Sequence, residues 1–119
     1  MKFVPVKIVT NGNMTTTINS LGIDLNQVVL YSIQAVFTGS PVGTLKLQIS
    51  NDIVNPIATG TQAVEVVNWT DYTGSSTPVT TSGNFVWNCL DVGYRWVRLV
   101  YTPTSGSGTL NATISGKAI

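Results

Sequence analysis

Apolar and polar residues alternate with a period of two along most of this chain, and no window of helix length carries a period of 3.6. The segment Tyr94–Thr102 (Tyr-Arg-Trp-Val-Arg-Leu-Val-Tyr-Thr) is rich in β-branched and aromatic residues and meets no Gly or Pro before Pro103. Such residues suit a pleated, packed surface, so the segment is expected to form a central strand. Alternation sends Arg95, Val97, Leu99 and Tyr101 to one face and Trp96, Arg98 and Val100 to the other. Both faces carry apolar bulk. One should line the core. The other should be covered by another part of this chain or by a second chain.

The same reading places a strand at Phe3–Thr10, which Pro5 restricts to a sheet edge or a non-hydrogen-bonded position. Asn11-Gly12-Asn13 has the composition of a tight hairpin turn, with Met14–Ser20 as the returning strand. Leu21–Gln27 reads as a connection whose Ile23 and Leu25 plug the core. Val28–Thr38 puts Tyr31, Ile33, Ala35 and Phe37 on one face. Thr44–Ser50 puts Leu45, Leu47 and Ile49 inward and Lys46, Gln48 and Ser50 outward. With Gly39–Gly43 as the turn, these two are expected to form a hairpin pair. Asn51–Thr61 reads as a long loop, Ala63–Thr70 as a strand, and Asp71–Gly83 as a second exposed loop with a short strand at Val79. Asn84–Asn88 places Phe85 and Trp87 on one face. Thr102–Gly108 reads as a polar hairpin turn and Thr109–Ser115 as the last strand. About eight strands with regularly spaced turn signals predict an all-β fold, an antiparallel two-sheet β-sandwich with a jelly roll among its forms. One domain over residues 1–119 is expected, with residues 1–10 either an interaction arm or an edge strand.

Composition narrows the function. Charged residues make up 9% of the chain, against roughly 25% in an average domain. Thr, Ser, Asn and Gly fill the polar positions instead. A sparsely charged surface suits a protein packed against neighbours, because a charge removed from water costs free energy unless it is paired. The net charge is +1 and the six Lys and Arg residues are scattered, so no nucleic-acid footprint is expected. The N-terminus lacks the apolar core of a signal peptide, and no run is long enough to span a membrane. The lone Cys89 lies in an apolar setting and is expected to be a small core residue.

Catalytic and metal chemistry find little to build on. The chain has no His, which removes the commonest general base and metal ligand. The acids Asp24, Asp52, Glu65, Asp71 and Asp91 are isolated in sequence, and only Asp52 with Asp71 offers a pairing through the fold. No catalytic residue, cofactor site or metal site is therefore assigned, and the chain is expected not to be an enzyme. Trp69, Trp87 and Trp96 are core candidates or a sugar-stacking platform. If Val97 and Leu99 face the core, Trp96 faces out, and an outward Trp beside Arg98 has the composition of a protein interface. Lys2, Phe3 and Lys7 are the contacts of the candidate N-terminal arm. The candidate interface is thus Lys2, Phe3, Lys7, Trp96 and Arg98.

Two blocks carry a family resemblance. The first is Gly43-Thr44-Leu45-Lys46-Leu47-Gln48-Ile49-Ser50-Asn51-Asp52, followed by Asn68-Trp69-Thr70-Asp71. The second is Tyr94–Thr102, followed by Gly106-Ser107-Gly108-Thr109-Leu110-Asn111-Ala112 and Gly116-Lys117. Together they resemble the small all-β accessory virion proteins of tailed bacteriophages, of the capsid decoration (cement) type. The resemblance implies a structural role in the virion, stabilising the shell through subunit contacts. It implies the major capsid protein or other virion proteins as partners, and a homo-oligomer, with a trimer among the options. With no signal peptide read at the N-terminus, synthesis in the host cytoplasm and a place in the virion are expected. The alternative is a receptor- or carbohydrate-binding module of a tail or fibre, which would need an exposed aromatic pair at the tip of one of the two long loops.

Overall fold

The computed structural model describes residues 2–54, 61–63 and 65–118, with side chains from Pro5 to Lys117 within those segments. Its strands are β1 (Lys2–Asn13), β2 (Ile18–Asn19), β3 (Gly22–Asp24), β4 (Val28–Gly39), β5 (Val42–Ser50), β6 (Gln62–Ala63), β7 (Thr70–Asp71), β8 (Thr77–Val79), β9 (Gly83–Cys89), β10 (Trp96–Ser105) and β11 (Gly108–Ala118). They form two antiparallel sheets. A four-stranded sheet runs β1-β11-β4-β9. A seven-stranded sheet runs β6-β3-β10-β5-β7, with β2 also beside β10 and β8 also beside β5. The chain changes sheet at almost every long connection: β1 to β2, β3 to β4, β4 to β5, β8 to β9, β9 to β10 and β10 to β11. β2 with β3, and β5 through β8, stay in one layer. That connectivity is a jelly roll.

Two expected hairpins are therefore corrected. Val28–Thr38 and Thr44–Ser50 are strands, but β4 pairs with β11 and β9 while β5 pairs with β10. Likewise, the turn expected over residues 102–108 is strand as far as Ser105, and Gly106-Ser107 carry the chain from β10 across to β11 in the other sheet. The apolar faces of these strands meet through the sandwich rather than side by side. The two crossovers lie against each other, with the Ser40 amide donating to the Ser107 carbonyl at 2.8 Å. Gly39 and Gly106 turn them at positive φ, and a side chain at Gly106 would collide with the Ser40 carbonyl.

The opening hairpin is also corrected. β1 runs through Asn11-Gly12-Asn13 and stays paired with β11 as far as Asn13 opposite Thr109. Asn11 takes φ 49° and makes a bulge, not a turn. Asn tolerates that conformation, and its amide donates to Asn111 Oδ1 at 3.0 Å. Residues 1–10 are thus an edge strand over the part described. The chain then crosses to the far sheet, where β2 and β3 pair with β10 on either side of Ser20. The Ser20 hydroxyl accepts from the Leu99 amide at 2.8 Å, filling the break between them. Of the strand expected over Ala63–Thr70, the described residues form only the short β6 and β7 at its two ends.

The core fills the space between the sheets. Tyr31, Ile33 and Ala35 of β4 and Leu110, Ala112 and Ile114 of β11 face Leu45 and Leu47 of β5 and Val97, Leu99 and Tyr101 of β10. Each of these is almost fully buried. Ile23 and Leu25 plug one side, as the sequence pattern predicts, and Cys89 is buried beside them in the same cluster. Burying each large aliphatic side chain contributes about 1.5–3 kcal/mol. Tyr31 and Tyr94 share a hydroxyl–hydroxyl hydrogen bond of 2.7 Å. Burial, ahead of bonds to Cys89 and Tyr94, pushes the Tyr31 phenol far above its usual value, so the pair is uncharged.

Candidate functional site

The five candidate interface residues lie on two different sheets. Lys2, Phe3 and Lys7 belong to β1, at the margin of the four-stranded sheet, where Lys2 is in register with Lys117 and Lys7 with Thr113. The side chains of Lys2 and Phe3 lie outside the described residues. Lys7 is exposed. Trp96 and Arg98 belong to β10 in the opposite sheet. The fold does not bring the two groups together.

Trp96 requires a correction. It does face away from Val97 and Leu99, but it is fully buried, with 0% of its surface exposed. Its own chain supplies the cover. Val54, Ala63, Val66 and Trp69 pack with it in a second, smaller apolar cluster on the outer side of the seven-stranded sheet. The indole Nε1 of Trp96 donates to the Asp52 carbonyl at 3.0 Å. Of the two ways to cover that face, the chain uses the internal one.

Polar bonds fasten this cover. Asp24 is wholly buried at the end of β3, next to Trp96 in register. Arg95 reaches it with Nε at 3.1 Å and Nη2 at 3.2 Å, and the Asn26 amide donates to it at 2.8 Å. The same guanidinium donates to the Val54 carbonyl at 3.3 Å and lies 5.1 Å from the Trp96 ring centre. A second carboxylate, Asp52, accepts from the amides of Val67 (2.8 Å) and Asn68 (3.0 Å) and from the Asn68 side chain (2.9 Å). The Asn68 amide first, then that of Val67, hold its pKa below the usual carboxylate value. Asp24, through Arg95, therefore holds Val54 in place, and Asp52 holds Val67 and Asn68.

Arg98 is half-buried beside this cover and remains a surface candidate. Its Nε donates to Gln48 Oε1 at 2.8 Å, and its guanidinium lies 4.6 Å from the centre of the Trp69 ring. Asn19, Leu21, Trp69 and Arg98 rim a shallow pocket there. Next to it Asp71 accepts from Gln48 (2.8 Å) and from Lys46 (3.0 Å), and these bonds lower its pKa, Gln48 contributing most. The carboxylates of Asp52 and Asp71, the one acid pairing the sequence offered, are thus each engaged in structural bonds. Among the described residues, no three His, Cys, Asp or Glu side chains gather into a cluster. No described helix is long and apolar enough to cross a membrane. Tyr72, the aromatic of the second long loop, turns inward against Tyr94, with ring centres 5.6 Å apart.

The outer face of the four-stranded sheet is different in chemistry. None of its strands contains an acid, and the charged residues in those strands are Lys2, Lys7 and Lys117, of which Lys7 and Lys117 are described and exposed. Gln34, Thr38, Asn84, Asn88, Thr109 and Asn111 make it an uncharged polar surface, interrupted by the exposed Val36 and Val86.

No family model matches the chain, and no curated protein matches it. A solved structure does share its fold. The crystal structure of the SPBc2 prophage-derived protein YomS aligns with a TM-score of 0.50 and 14% identity, over 95% of this chain and 96% of that one. A structure of infectious bursal disease virus, Gx strain, aligns with a TM-score of 0.49 and 9% identity, over 98% of this chain and 31% of that one. The first likeness is one of fold, and it spans both chains from end to end.

Proposed function

We propose that this protein is a structural component of a tailed-phage virion, and specifically a capsid decoration protein that stabilises the shell by bridging subunits. The observation that carries the reading is the fold shared with the SPBc2 prophage-derived YomS over 95% of this chain and 96% of that one. Two features of the surface support it. The outer face of the four-stranded sheet is broad and nearly uncharged, so packing it against a neighbour strands few charges. The face around Trp96 is covered by the chain's own Val54, Ala63, Val66 and Trp69, so Trp96 itself is not available as a contact. On this reading the chain is not an enzyme and acts in the virion. Its partners are the major capsid protein or other virion proteins and further copies of itself, and it needs neither cofactor nor nucleic acid. A contact repeated over a shell adds up even when each is small.

The test is copy number. Quantitative mass spectrometry of purified particles would count this chain against the major capsid protein. A fixed ratio with hundreds of copies supports decoration. A handful of copies moves the protein to the tail or fibre. Absence from particles overturns both.

A further inference from the structure

We propose that β9 is a self-association strand. Two copies pair antiparallel through their β9 edges about a two-fold axis at Val86, joining two four-stranded sheets into one. The proposal stands on geometry and sequence and does not rest on the virion reading.

The two margins of the four-stranded sheet are built in opposite ways. β1 carries the devices that keep an edge strand from pairing: Pro5, which lacks an amide donor, Lys2 and Lys7, and three interruptions of its register with β11. β9 carries none of them. Its seven residues keep unbroken register with β4, from Tyr31 opposite Cys89 to Phe37 opposite Gly83. It has no Pro, and no charge falls between Gly83 and Leu90. Among the described residues, β9 pairs with β4 on one side and with no strand on the other. Such an edge presents a row of backbone donors and acceptors to any extended strand.

The sequence of β9 selects that strand. Asn84-Phe85-Val86-Trp87-Asn88 reads the same in chemical type from either end. A two-fold axis at Val86 sets Asn84 opposite Asn88, Phe85 opposite Trp87, and Val86 opposite itself. Every cross-strand pair is then like with like: amide with amide, ring with ring, β-branched with β-branched. With no charge on the strand, the axis brings no like charges together. The exposed apolar atoms lie where this pairing would cover them. Phe85 shares a face with the buried Trp87, in an edge-on ring contact of 4.9 Å, yet 39% of it is exposed. Val86, on the outer face, is 49% exposed, and Leu90 just beyond the strand is 66% exposed. The margin is also firm. The Trp87 indole donates to the Ser75 carbonyl at 2.8 Å, and the Ser75 hydroxyl bonds both the amide and the carbonyl of Leu47 in the other sheet. An open groove lies between β9 and the Tyr72–Ser75 turn.

The experiment is a charge-swap at the axis, read by sedimentation over a concentration series. Val86 is half-exposed on the outer face, so Val86→Lys and Val86→Glu leave the core intact, which thermal unfolding of each verifies. The wild type should show a concentration-dependent dimer. Each variant alone should bind itself about tenfold more weakly or worse, because it places like charges directly opposite. An equimolar mixture of the two should recover association. A wild type that stays monomeric at millimolar concentration overturns the proposal. So do variants that dimerise like the wild type, which would locate the contact elsewhere, and a mixture that does not recover, which would exclude the axis at Val86.

Discussion

Strand β10 has two faces, and they are held by different physics. On one, Val97, Leu99 and Tyr101 enter the main core, where area removed from water does the work. On the other, Trp96 is equally buried, but under Val54, Ala63, Val66 and Trp69, held by bonds that two carboxylates and an arginine make with Val54, Val67 and Asn68. The first face is stabilised by many small, interchangeable contacts. The second depends on a few polar bonds that have no substitutes. The difference matters for perturbation. Trimming the first face should weaken the whole sandwich, whereas cutting the second should open residues 52–69 first.

The largest effect is expected from Arg95→Ala. It leaves Asp24 at 0% exposure without its counter-charge, at a cost of about 3–5 kcal/mol. Asp24→Ala should cost less, since Arg95 keeps 26% of its side chain exposed and can turn to water. Equilibrium denaturation of both variants checks the order. If Asp24→Ala proves the costlier, the buried-charge argument is wrong. On the opposite face Leu99→Ala should lose about 2–5 kcal/mol. It should do so with one transition whichever probe is used, while the Arg95 variant should expose Trp96 by fluorescence before the sheets separate.

Smaller effects sharpen the contrast. Asp52→Asn should raise hydrogen exchange at the Val67 and Asn68 amides while hardly moving the global midpoint. Acid should act in the same place. The folded-state pKa values of Asp52 and Asp71 are lowered, so their contribution is complete above the ordinary aspartate range and is lost as the pH falls through the lowered values. Thermal midpoints should therefore fall on acidification, and less steeply in Asp52→Asn. The smallest effect is expected at Tyr101. Its hydroxyl is buried in the main core with no hydrogen-bond partner among the described residues. Tyr101→Phe should change stability by less than about 0.5 kcal/mol, or raise it. A marked loss would reveal a partner for that hydroxyl.

Alternation made the strands legible, and with them the inner residues of β4, β5, β10 and β11. It did not give their partners. A strand with one apolar face reads the same whether its successor lies beside it or across the core. That is why β4 and β5, or β10 and β11, looked like hairpins and are crossovers. Trp96 was legible as facing away from the main core. Its cover was not, because Asp52, Val54 and Val66 lie at least thirty residues earlier in a stretch of little regular pattern. The Asp24–Arg95 pair was missed, although a signal existed. Asp24 stands between Ile23 and Leu25, both read as core plugs, and an acid in such company needs a cation. Arg95, next to the buried Trp96, supplies it.

The place of β11 bears on when this protein becomes folded. It is made well after both of its neighbours, yet it lies between β1 and β4, joined to both along nearly its whole length. Until it leaves the ribosome, β1 has no partner strand and the four-stranded sheet is only its β4–β9 half. This sheet must therefore wait for β11 to be made and then join segments about a hundred positions apart, a topology that favours slow, all-at-once assembly over stepwise growth.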